Sequence, residues 1–378
     1  MSGKQPVCWI LQAMLMCCIA ESSTQDREPI MLSHEAFARA EVFINETGRP
    51  LERTLFAFRF RHGSPDAVIA ELAKYQNSDG GFASCLESDT RWCGSSPVGA
   101  MKALGILTDI GAPASDPHVK AAVKNLLASF DDKQGIWHAL PKEANAAPHA
   151  SWWEVREDTG KCQIETPVFP TAALAGYLQN YAALLPSGFL KRITESSLDY
   201  LSTAPTRMQM SNMESLNVLV RFLPPAQRTD AILKLKKELA MVLVQDSKQW
   251  DSYNVKPLTF IHSPQSPFYP EMAEAVSANL DYLISTQKPD GGWGLTWSWE
   301  ERSPTAWKLA EKEWLGVVTL ENLTRLDAFH RIERYKDKSE SLAEPKSLFL
   351  ANNRPFGKFD RCSLHDGISA EANSQSST

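Results

Sequence analysis

Four residues with reactive or ligand-binding side chains lie close together between positions 87 and 92. Glu87 and Asp89 are carboxylates two residues apart, and Arg91 and Trp92 follow them. Neighbouring like charges raise the pKa of one carboxylate while the arginine lowers that of the other, so the group suits acid–base chemistry or recognition of a diphosphate. The alternative is a solvated salt-bridge cluster on the surface.

A second candidate site lies in the long connection 137–165. It contains His149, with Trp152 and Trp153 close behind it. A histidine beside aromatic rings could act as a base near neutral pH, or it could cap a neighbouring helix. Because long connections in a compact domain are usually functional, His149 is a candidate catalytic residue and both tryptophans are candidate ligand contacts.

Further aromatic residues follow position 293. Trp297 and Trp299 are candidate substrate contacts, since indole rings bind cationic or apolar groups. We expect Trp299 to face a cavity and Trp293 to be buried between helices. Glu313 lies in a run with an apolar side, so it is either on the solvent face or a buried acid that reaches inward.

A repeated turn defines the elements that must position these residues. Residues 76–82 read QNSDGGF and residues 287–293 read QKPDGGW, each after a run with helical apolar spacing. Weaker copies occur at 131–137 and 245–250. The aromatics that end these turns mark steps of roughly 50 residues, which is typical of a repeat architecture. The glycines permit positive φ, and the aromatics are predicted to fill the gaps between helix pairs.

Three Ser/Thr–Pro pairs, at 96–97, 166–167 and 303–304, predict helix starts, because Ser or Thr suits the N-cap and proline the first helical position. Apolar residues recur with a helical period through most of the chain, whereas strand-like alternation is scarce. The sequence predicts an all-α fold. The predicted helices are 34–47, 52–62, 65–76, 97–109, 117–130, 167–185, 188–203, 211–223, 228–245, 271–287 and 304–323.

One helix, the repeated turn, a polar loop and a second helix that starts at Ser/Thr–Pro form a unit. This unit resembles the repeat of the α/α-toroid superfamily, which includes squalene and terpene cyclases, protein prenyltransferase β-subunits and complement thioester domains. More closely, the chain resembles bacterial proteins described as prenyltransferase-like. The matching segments are 76–97, 148–153, 290–301 and 313–323, within residues 31–334. The resemblance implies an inner ring of helices inside an outer ring, with a central cavity that opens where the inner helices begin.

The family itself implies no single reaction, but aromatic-rich loops and acidic residues at a toroid cavity favour a cyclase or transferase that acts on an isoprenoid or similar apolar substrate in an aromatic-lined cavity. Asp89 or Glu87 would be the acid, and the tryptophans would stabilise cationic carbon. The implied substrate contacts are Arg91, Trp92, Trp152, Trp153, Trp297, Trp299 and Glu313. No metal site is predicted, although Mg²⁺ would accompany a diphosphate substrate.

The chain departs from the superfamily at motifs that carry known reactions. It lacks the D-x-D-D motif of class II cyclases, for which residues 87–89 are only a partial substitute, and residues 131–135 lack the final Asp of D-D-x-x-D. Two alternatives therefore stay open. One is a carbohydrate-active α/α toroid that uses the same carboxylates, His149 and tryptophans, and the other is a ligand-binding toroid without catalysis.

The charge composition limits the classes of molecule that the protein is expected to bind. The 378 residues carry a formal net charge of −6, with a sequence pI near 5.8. This balance argues against nucleic acid, which requires a basic surface. A small apolar or isoprenoid substrate is expected instead, together with peripheral contact with a membrane.

The domain prediction has three parts: residues 1–30 form a leader or signal-like extension, residues 31–335 the toroid domain, and residues 336–378 a loosely ordered tail. The four cysteines outside the leader have no framework spacing. They are predicted to be mostly free thiols in a cytoplasmic protein, and export is the alternative if the leader acts as a signal peptide.

Overall fold

Helices make up the regular structure of this chain. The computed structural model describes residues 28–204 and 207–333, which contain twelve α-helices, isolated β-bridges and no β-strand. The all-α prediction is confirmed. The helices are α1 (His34–Thr47), α2 (Pro50–Phe60), α3 (Pro65–Leu72), α4 (Pro97–Asp109), α5 (Pro117–Ala128), α6 (Thr171–Leu178), α7 (Phe189–Thr203), α8 (Met210–Phe222), α9 (Pro225–Val242), α10 (Pro257–Phe260), α11 (Tyr269–Ser285) and α12 (Pro304–Ala328). Residues 1–27 of the predicted leader and the whole predicted tail lie outside the described residues.

Two of the three predicted Ser/Thr–Pro starts are confirmed. α4 begins at Pro97 and α12 at Pro304. At the first of these, the Ser96 hydroxyl accepts a hydrogen bond from the backbone N–H of Gly99 at 3.1 Å. This bond satisfies one of the N–H groups that the first helical turn leaves without a partner.

The start predicted at Pro167 is wrong, since α6 begins at Thr171. The hydroxyl of Thr166 accepts a hydrogen bond from the backbone N–H of Phe169 at 3.1 Å, and the Thr166 N–H donates to the Phe169 carbonyl at 3.3 Å. These two bonds close a tight turn before the helix. The Ser/Thr–Pro pair therefore forms a local turn here rather than a cap.

The first repeated turn joins α3 to the segment that leads into α4. The Gln76 side-chain N–H donates to the carbonyls of Gly80 and His118, both at 2.9 Å. Asp79 Oδ1 accepts from the backbone N–H of Gly81 at 2.9 Å. Gly80 has φ of 84°, a conformation that glycine adopts without strain. Because His118 lies in the first turn of α5, the glutamine fixes the turn to α5, the second α-helix after it in the chain.

The second repeated turn, which follows α11, has the same bonds. The Gln287 side-chain N–H donates to the carbonyls of Gly291 and Ala36, again at 2.9 Å each. Asp290 Oδ1 accepts from the N–H of Gly292 at 3.0 Å, and Gly291 has φ of 93°. Ala36 lies in the first turn of α1. The last repeated turn therefore binds α1 as the first one binds α5.

The register of this docking is the same at both repeated turns. A Cβ on Gly80 would lie 2.8 Å from the carbonyl oxygen of Ala121, three residues after His118. A Cβ on Gly291 would lie 2.4 Å from the carbonyl oxygen of Arg39, three residues after Ala36. α12 also packs against α1 and α2. α1 thus docks on the last repeated turn in the way that α5 docks on the first.

The aromatic residues that end the four turns are all buried, as predicted for packing wedges. They are Phe82, Trp137, Trp250 and Trp293. Each indole N–H donates to a carbonyl at or just after the end of the preceding α-helix: Trp137 to Leu126 at 2.7 Å, Trp250 to Val244 at 2.7 Å and Trp293 to Leu283 at 2.8 Å. A buried indole needs such a partner.

The prediction of mostly free cysteines is wrong for two of them. Cys85 and Cys93 form a disulfide that closes the loop carrying Glu87 and Asp89. Cys162 is a buried free thiol, and burial raises its pKa to about 12. Cys362 lies outside the described residues. Within the described ranges, no helix is both long and apolar enough to cross a bilayer.

Candidate functional site

One cavity of about 750 Å³ lies between helices of the described chain. Its walls come from α4, α6, α8, α10 and α12, together with α11 and the segments 250–256 and 293–297. A volume of this size suits a small molecule of many heavy atoms.

Trp297 is the only predicted site residue that lines this cavity. The other nine lie outside its lining; they are Glu87, Asp89, His149, Arg91, Trp92, Trp152, Trp153, Trp299 and Glu313. Several of them pack directly behind the cavity wall, where they hold residues that do face the interior.

Asp89 is a buried acid held by two indoles. Its Oδ1 accepts the N–H of Trp299 at 2.8 Å and that of Trp314 at 2.7 Å. Burial, with the nearby charge of Glu87, raises the pKa of Asp89 to about 7, although both indole bonds favour its charged form. The expectation that Trp299 faces a cavity is wrong, because this ring is buried against Trp307 at a centroid distance of 5.6 Å.

Glu87 is buried and binds a cation of the cavity wall. Its Oε2 lies 2.7 Å from Nζ of Lys102, a residue of α4 that lines the cavity. The ammonium also lies 5.4 Å from the ring centroid of Trp314. Burial alone would lower the pKa of Lys102, but the adjacent Glu87 carboxylate raises it, so this lysine stays charged. Glu87 thus positions a cation rather than contacting a ligand itself.

Arg91 and Glu313 bind one another. Nη1 and Nη2 of Arg91 donate to the two carboxylate oxygens of Glu313 at 2.8 and 2.9 Å. Arg49 forms a second two-bond pair, with Glu52, and donates to the carbonyl of Leu86 at 3.2 Å. The predicted anion-binding role of Arg91 is not supported, because both Nη atoms of its guanidinium group already bind the Glu313 carboxylate. These pairs fasten the acidic loop to α2 and α12.

His149 is buried, and both of its ring nitrogens have partners. Nδ1 lies 2.7 Å from the carbonyl of Ala147, and Nε2 lies 3.1 Å from Nη2 of Arg302. A carbonyl only accepts and a guanidinium only donates, so Nδ1 donates to Ala147 and Nε2 accepts from Arg302. This arrangement leaves neither nitrogen for a substrate, and it matches the capping alternative more closely than the catalytic one.

The tryptophans of the second candidate site belong to an apolar cluster rather than to the cavity. Trp153 is buried beside Phe169, with ring centroids 6.1 Å apart. Trp152 and Trp92 are half-buried against the same cluster. The Trp92 ring also covers Gly94, where any Cβ would collide with it. These three rings pack the protein between the acidic loop and the connection 137–165.

Glu214 is a cavity acid that the sequence analysis missed. It lies on α8, where its exposed side chain lines the cavity. Burial raises its pKa to about 7; Lys102 opposes this shift, and Glu321 adds to it. Among the described residues no hydrogen bond or ion pair holds its carboxyl group. Its signal in the sequence was a single Glu between buried positions of α8, Met213 and Ser215.

His262 is a second missed residue of the cavity wall. Its Nε2 lies 2.9 Å from the carbonyl of Thr259, at the end of α10. Burial and the nearby Arg325 lower the pKa of His262 to about 4, so the ring is neutral at physiological pH. Glu321 and Arg325 of α12 also line the cavity and form an ion pair with one another at 3.1 Å.

Three aromatic rings form one side of the cavity. Trp297 packs edge-to-face on Trp314 at a centroid distance of 5.1 Å, and Tyr253 packs on Trp297 at 6.2 Å. Tyr253 is 62% exposed, which is high for an aromatic residue of this size. Exposed ring faces of this kind suit stacking on a flat or cationic ligand.

Over the described ranges, no group of three or more His, Cys, Asp or Glu side chains has a metal-binding arrangement. Comparison with known proteins adds no assignment to this geometry. No protein-family model matches the chain, and no curated protein is similar to it at a significant level.

Proposed function

We propose that the described helices form an α/α toroid. Two observations support the proposal. The even-numbered helices α4 to α12 all contribute to one central cavity. The last repeated turn binds α1 through Gln287 in the register in which Gln76 binds α5, so the first helix completes the series of outer helices.

Within this fold, we propose an enzyme that performs general acid–base chemistry on a small molecule in the cavity. The observation that carries the proposal is the position of Glu214 on the cavity wall, where no described group binds its carboxyl and its pKa is raised to about 7. An acid of this kind is half protonated at neutral pH and can give its proton to a ligand.

The substrate class that fits the wall best is a hydroxylated ring compound such as a sugar. Lys102, Glu214 and Arg325 place charged groups of both signs along the lining. Covering these groups with a purely apolar chain would cost their hydration without replacing it. Hydroxyl groups can both donate to carboxylates and accept from cations, while the faces of Trp297 and Tyr253 can stack on the ring. This is the carbohydrate-active alternative, with Glu214 in the role first assigned to Asp89.

The second candidate is the isoprenoid cyclase or transferase. Its support is the resemblance of the repeated turns, together with the three rings Tyr253, Trp297 and Trp314, which could stabilise a carbocation. A diphosphate group would meet Lys102 and Arg325 and would bring Mg²⁺ with it. The partly charged lining makes this candidate weaker, because function follows from the site more closely than from the fold.

Two ligand panels test these candidates on the full chain. One contains 4-nitrophenyl glycosides of common sugars in both anomeric forms, and the other contains farnesyl and geranylgeranyl diphosphate with and without Mg²⁺, and squalene. The expected result is release of nitrophenol from at least one glycoside and its loss in Glu214→Gln. Turnover confined to the isoprenoid panel would favour the second candidate. Thermal stabilisation by a ligand without turnover, unchanged in Glu214→Gln, would indicate a binding protein.

For the compartment, we propose export rather than the cytoplasm. The disulfide between Cys85 and Cys93 supports this, because such bonds persist mainly in oxidising compartments. The apolar leader at 7–20 is the sequence feature that agrees with it. Fusion of residues 1–30 to a reporter that is active only after export provides the test, and a reporter retained in the cytoplasm would contradict the proposal.

A further inference from the structure

We propose that His262 is the general base that works opposite Glu214 in the cavity. This inference rests on the proposed acid–base function and names the second group that such a reaction requires. It stands on three observations: the fixed tautomer of the imidazole, a hydrogen bond between α8 and the segment that carries His262, and the charged groups that surround the ring.

The tautomer of His262 follows from its hydrogen bond. The carbonyl of Thr259 can only accept, so the contact of 2.9 Å places the ring proton on Nε2. Nδ1 then carries the free lone pair. Because the imidazole side chain is exposed toward the cavity, this lone pair is available to a water molecule or a ligand hydroxyl.

A direct contact joins the segment of His262 to the cavity face of α8. The Asn217 side-chain N–H donates to the carbonyl of Phe260 at 3.1 Å. Asn217 lies one helical turn after Glu214, so both side chains project from the same face. Phe260 lies two residues before His262. The contact between α8 and the end of α10 therefore lies one helical turn from Glu214 and two residues from His262.

The charged groups around His262 favour its neutral form. Burial disfavours a second proton most strongly, and the cations Arg325 of α12 and Arg221 of α8 act in the same direction. Glu321 opposes them but is itself paired with Arg325. The pKa of Glu214 is near 7 and that of His262 is near 4. Between pH 4 and 7, Glu214 therefore holds its proton while His262 is neutral and can accept one. Such separation is what assigns the acid and the base in known enzymes.

The corresponding step is hydrolysis of a glycosidic C–O bond. Glu214 gives its proton to the leaving oxygen as that bond breaks. His262 takes a proton at Nδ1 from a water molecule, whose oxygen forms the new bond to the same carbon. The products are two hydroxyl compounds, and solvent returns the proton from His262 to Glu214. One water is consumed, and no oxidant or reductant takes part.

Kinetics on the nitrophenyl glycoside that turns over best provide the first test. His262→Gln keeps a side-chain donor for the Thr259 carbonyl but has no basic nitrogen, so kcat/KM is expected to fall about 100-fold or more. In the unsubstituted protein, kcat/KM should form a plateau between about pH 4 and 7, with the acid limb near 4 absent from His262→Gln. His62→Asn, an exposed substitution, is the matched control. Activity within twofold of the unsubstituted protein in His262→Gln would overturn the proposal.

Modification by diethylpyrocarbonate at pH 5 provides a test that needs no substrate, because the reagent attacks neutral imidazole. At this pH about 90% of a group with pKa near 4 is neutral, compared with about 3% of N-acetylhistidine in the same tube. Peptide mass spectrometry should find His262 modified many times faster than this standard. Slow modification overturns the base assignment whatever the glycosides do. Fast modification with no turnover of any panel compound instead overturns the proposed function, and the catalytic role fails with it.

Discussion

Trp299 donates its indole N–H to Oδ1 of Asp89 at 2.8 Å, although the two residues are 210 positions apart in the chain. The contact joins the disulfide-closed loop to the segment before α12. Trp314, whose ring lines the cavity, donates to the same oxygen. Asp89 therefore holds one ring of the cavity wall and one ring of the apolar cluster behind it.

Trp299→Phe should destabilise the protein more at pH 8 than at pH 5. The substitution keeps most of the ring but removes the N–H donor. A hydrogen bond to a charged acceptor contributes about 1.5–3 kcal/mol, compared with about 1 for a neutral one. Since the pKa of Asp89 is about 7, the carboxyl is charged at pH 8 and neutral at pH 5. Urea unfolding at both pH values measures the difference, with Trp297→Phe as control. Equal losses at the two pH values would contradict the assignment.

Asp89→Asn should flatten the dependence of stability on pH. In the folded protein the pKa of Asp89 is raised to about 7, above its unfolded value near 4, so the folded state binds the extra proton between these values. Its contribution to the free energy of unfolding is complete below about pH 4 and is lost as pH rises through 7. Asparagine cannot ionise but still accepts from both indoles. Asp89→Asn should therefore be at least as stable as the unsubstituted protein at pH 8.

The measurement for Asp89→Asn is unfolding by urea from pH 5 to 8. Asp230→Asn, an exposed substitution on α9, is the control and should keep the original slope. Glu214 contributes a slope of the same sign, reduced by solvent in the cavity, so part of the dependence should persist in Asp89→Asn. An unchanged slope would mean that Asp89 titrates normally.

Trp293→Ala should mainly lower the stability of the protein, whereas Trp297→Ala should mainly weaken ligand binding. Trp293 is buried and hydrogen-bonded to Leu283, so its truncation should cost about 3–5 kcal/mol of unfolding free energy. Trp297 is half-buried and faces the cavity, so its truncation should cost little stability but weaken binding of a ring ligand by about 1–3 kcal/mol. Thermal denaturation and ligand titration measure both effects. Loss of stability alone in Trp297→Ala would remove it from the site.

Most of the helices could be predicted from the sequence, because their signals are local. α1 and α4 begin and end where the apolar period and the caps predict. The start at Pro167 failed because the same residue pair also forms a turn, and only the neighbouring backbone decides between the two. The short α10 was missed, since four residues carry no periodic signal.

The site was less predictable than the helices. Glu87 and Asp89 were recognised as unusual acids, but they act on Lys102 and Trp314 behind the cavity wall. Which residues face a central cavity depends on the rotation of each helix about its axis, and one charged residue on an inner face looks like an ordinary surface residue in the sequence. Glu214 was missed for this reason, and His262 was missed because it lies in the loop after α10, where no period indicates which side chains face a cavity.

Cys85→Ser should destabilise the protein, because loss of the disulfide raises the conformational entropy of the unfolded chain. The disulfide closes a loop with a sequence separation of 8, for which loop entropy predicts a loss of about 2–3 kcal/mol. Cys162→Ser serves as a control for the loss of a buried thiol, because Cys162 forms no disulfide. Intact-mass measurement with and without reductant first tests the bond itself, since reduction adds two hydrogen atoms. An unchanged mass in the purified protein would contradict both the bond and the proposed export.

Gln287→Ala should loosen α1 even though the two elements lie at opposite ends of the described chain. The substitution removes side-chain donors to Ala36 and Gly291, a loss of about 1–3 kcal/mol. Gln76→Ala is the matched variant, because its bonds to His118 and Gly80 have the same geometry. Hydrogen exchange of backbone amides measures the local effect: Gln287→Ala should speed exchange in the first turns of α1, and Gln76→Ala in those of α5. If Gln287→Ala leaves exchange in α1 unchanged, α1 does not complete the series of outer helices. The toroid proposal then loses the contact that would close the ring.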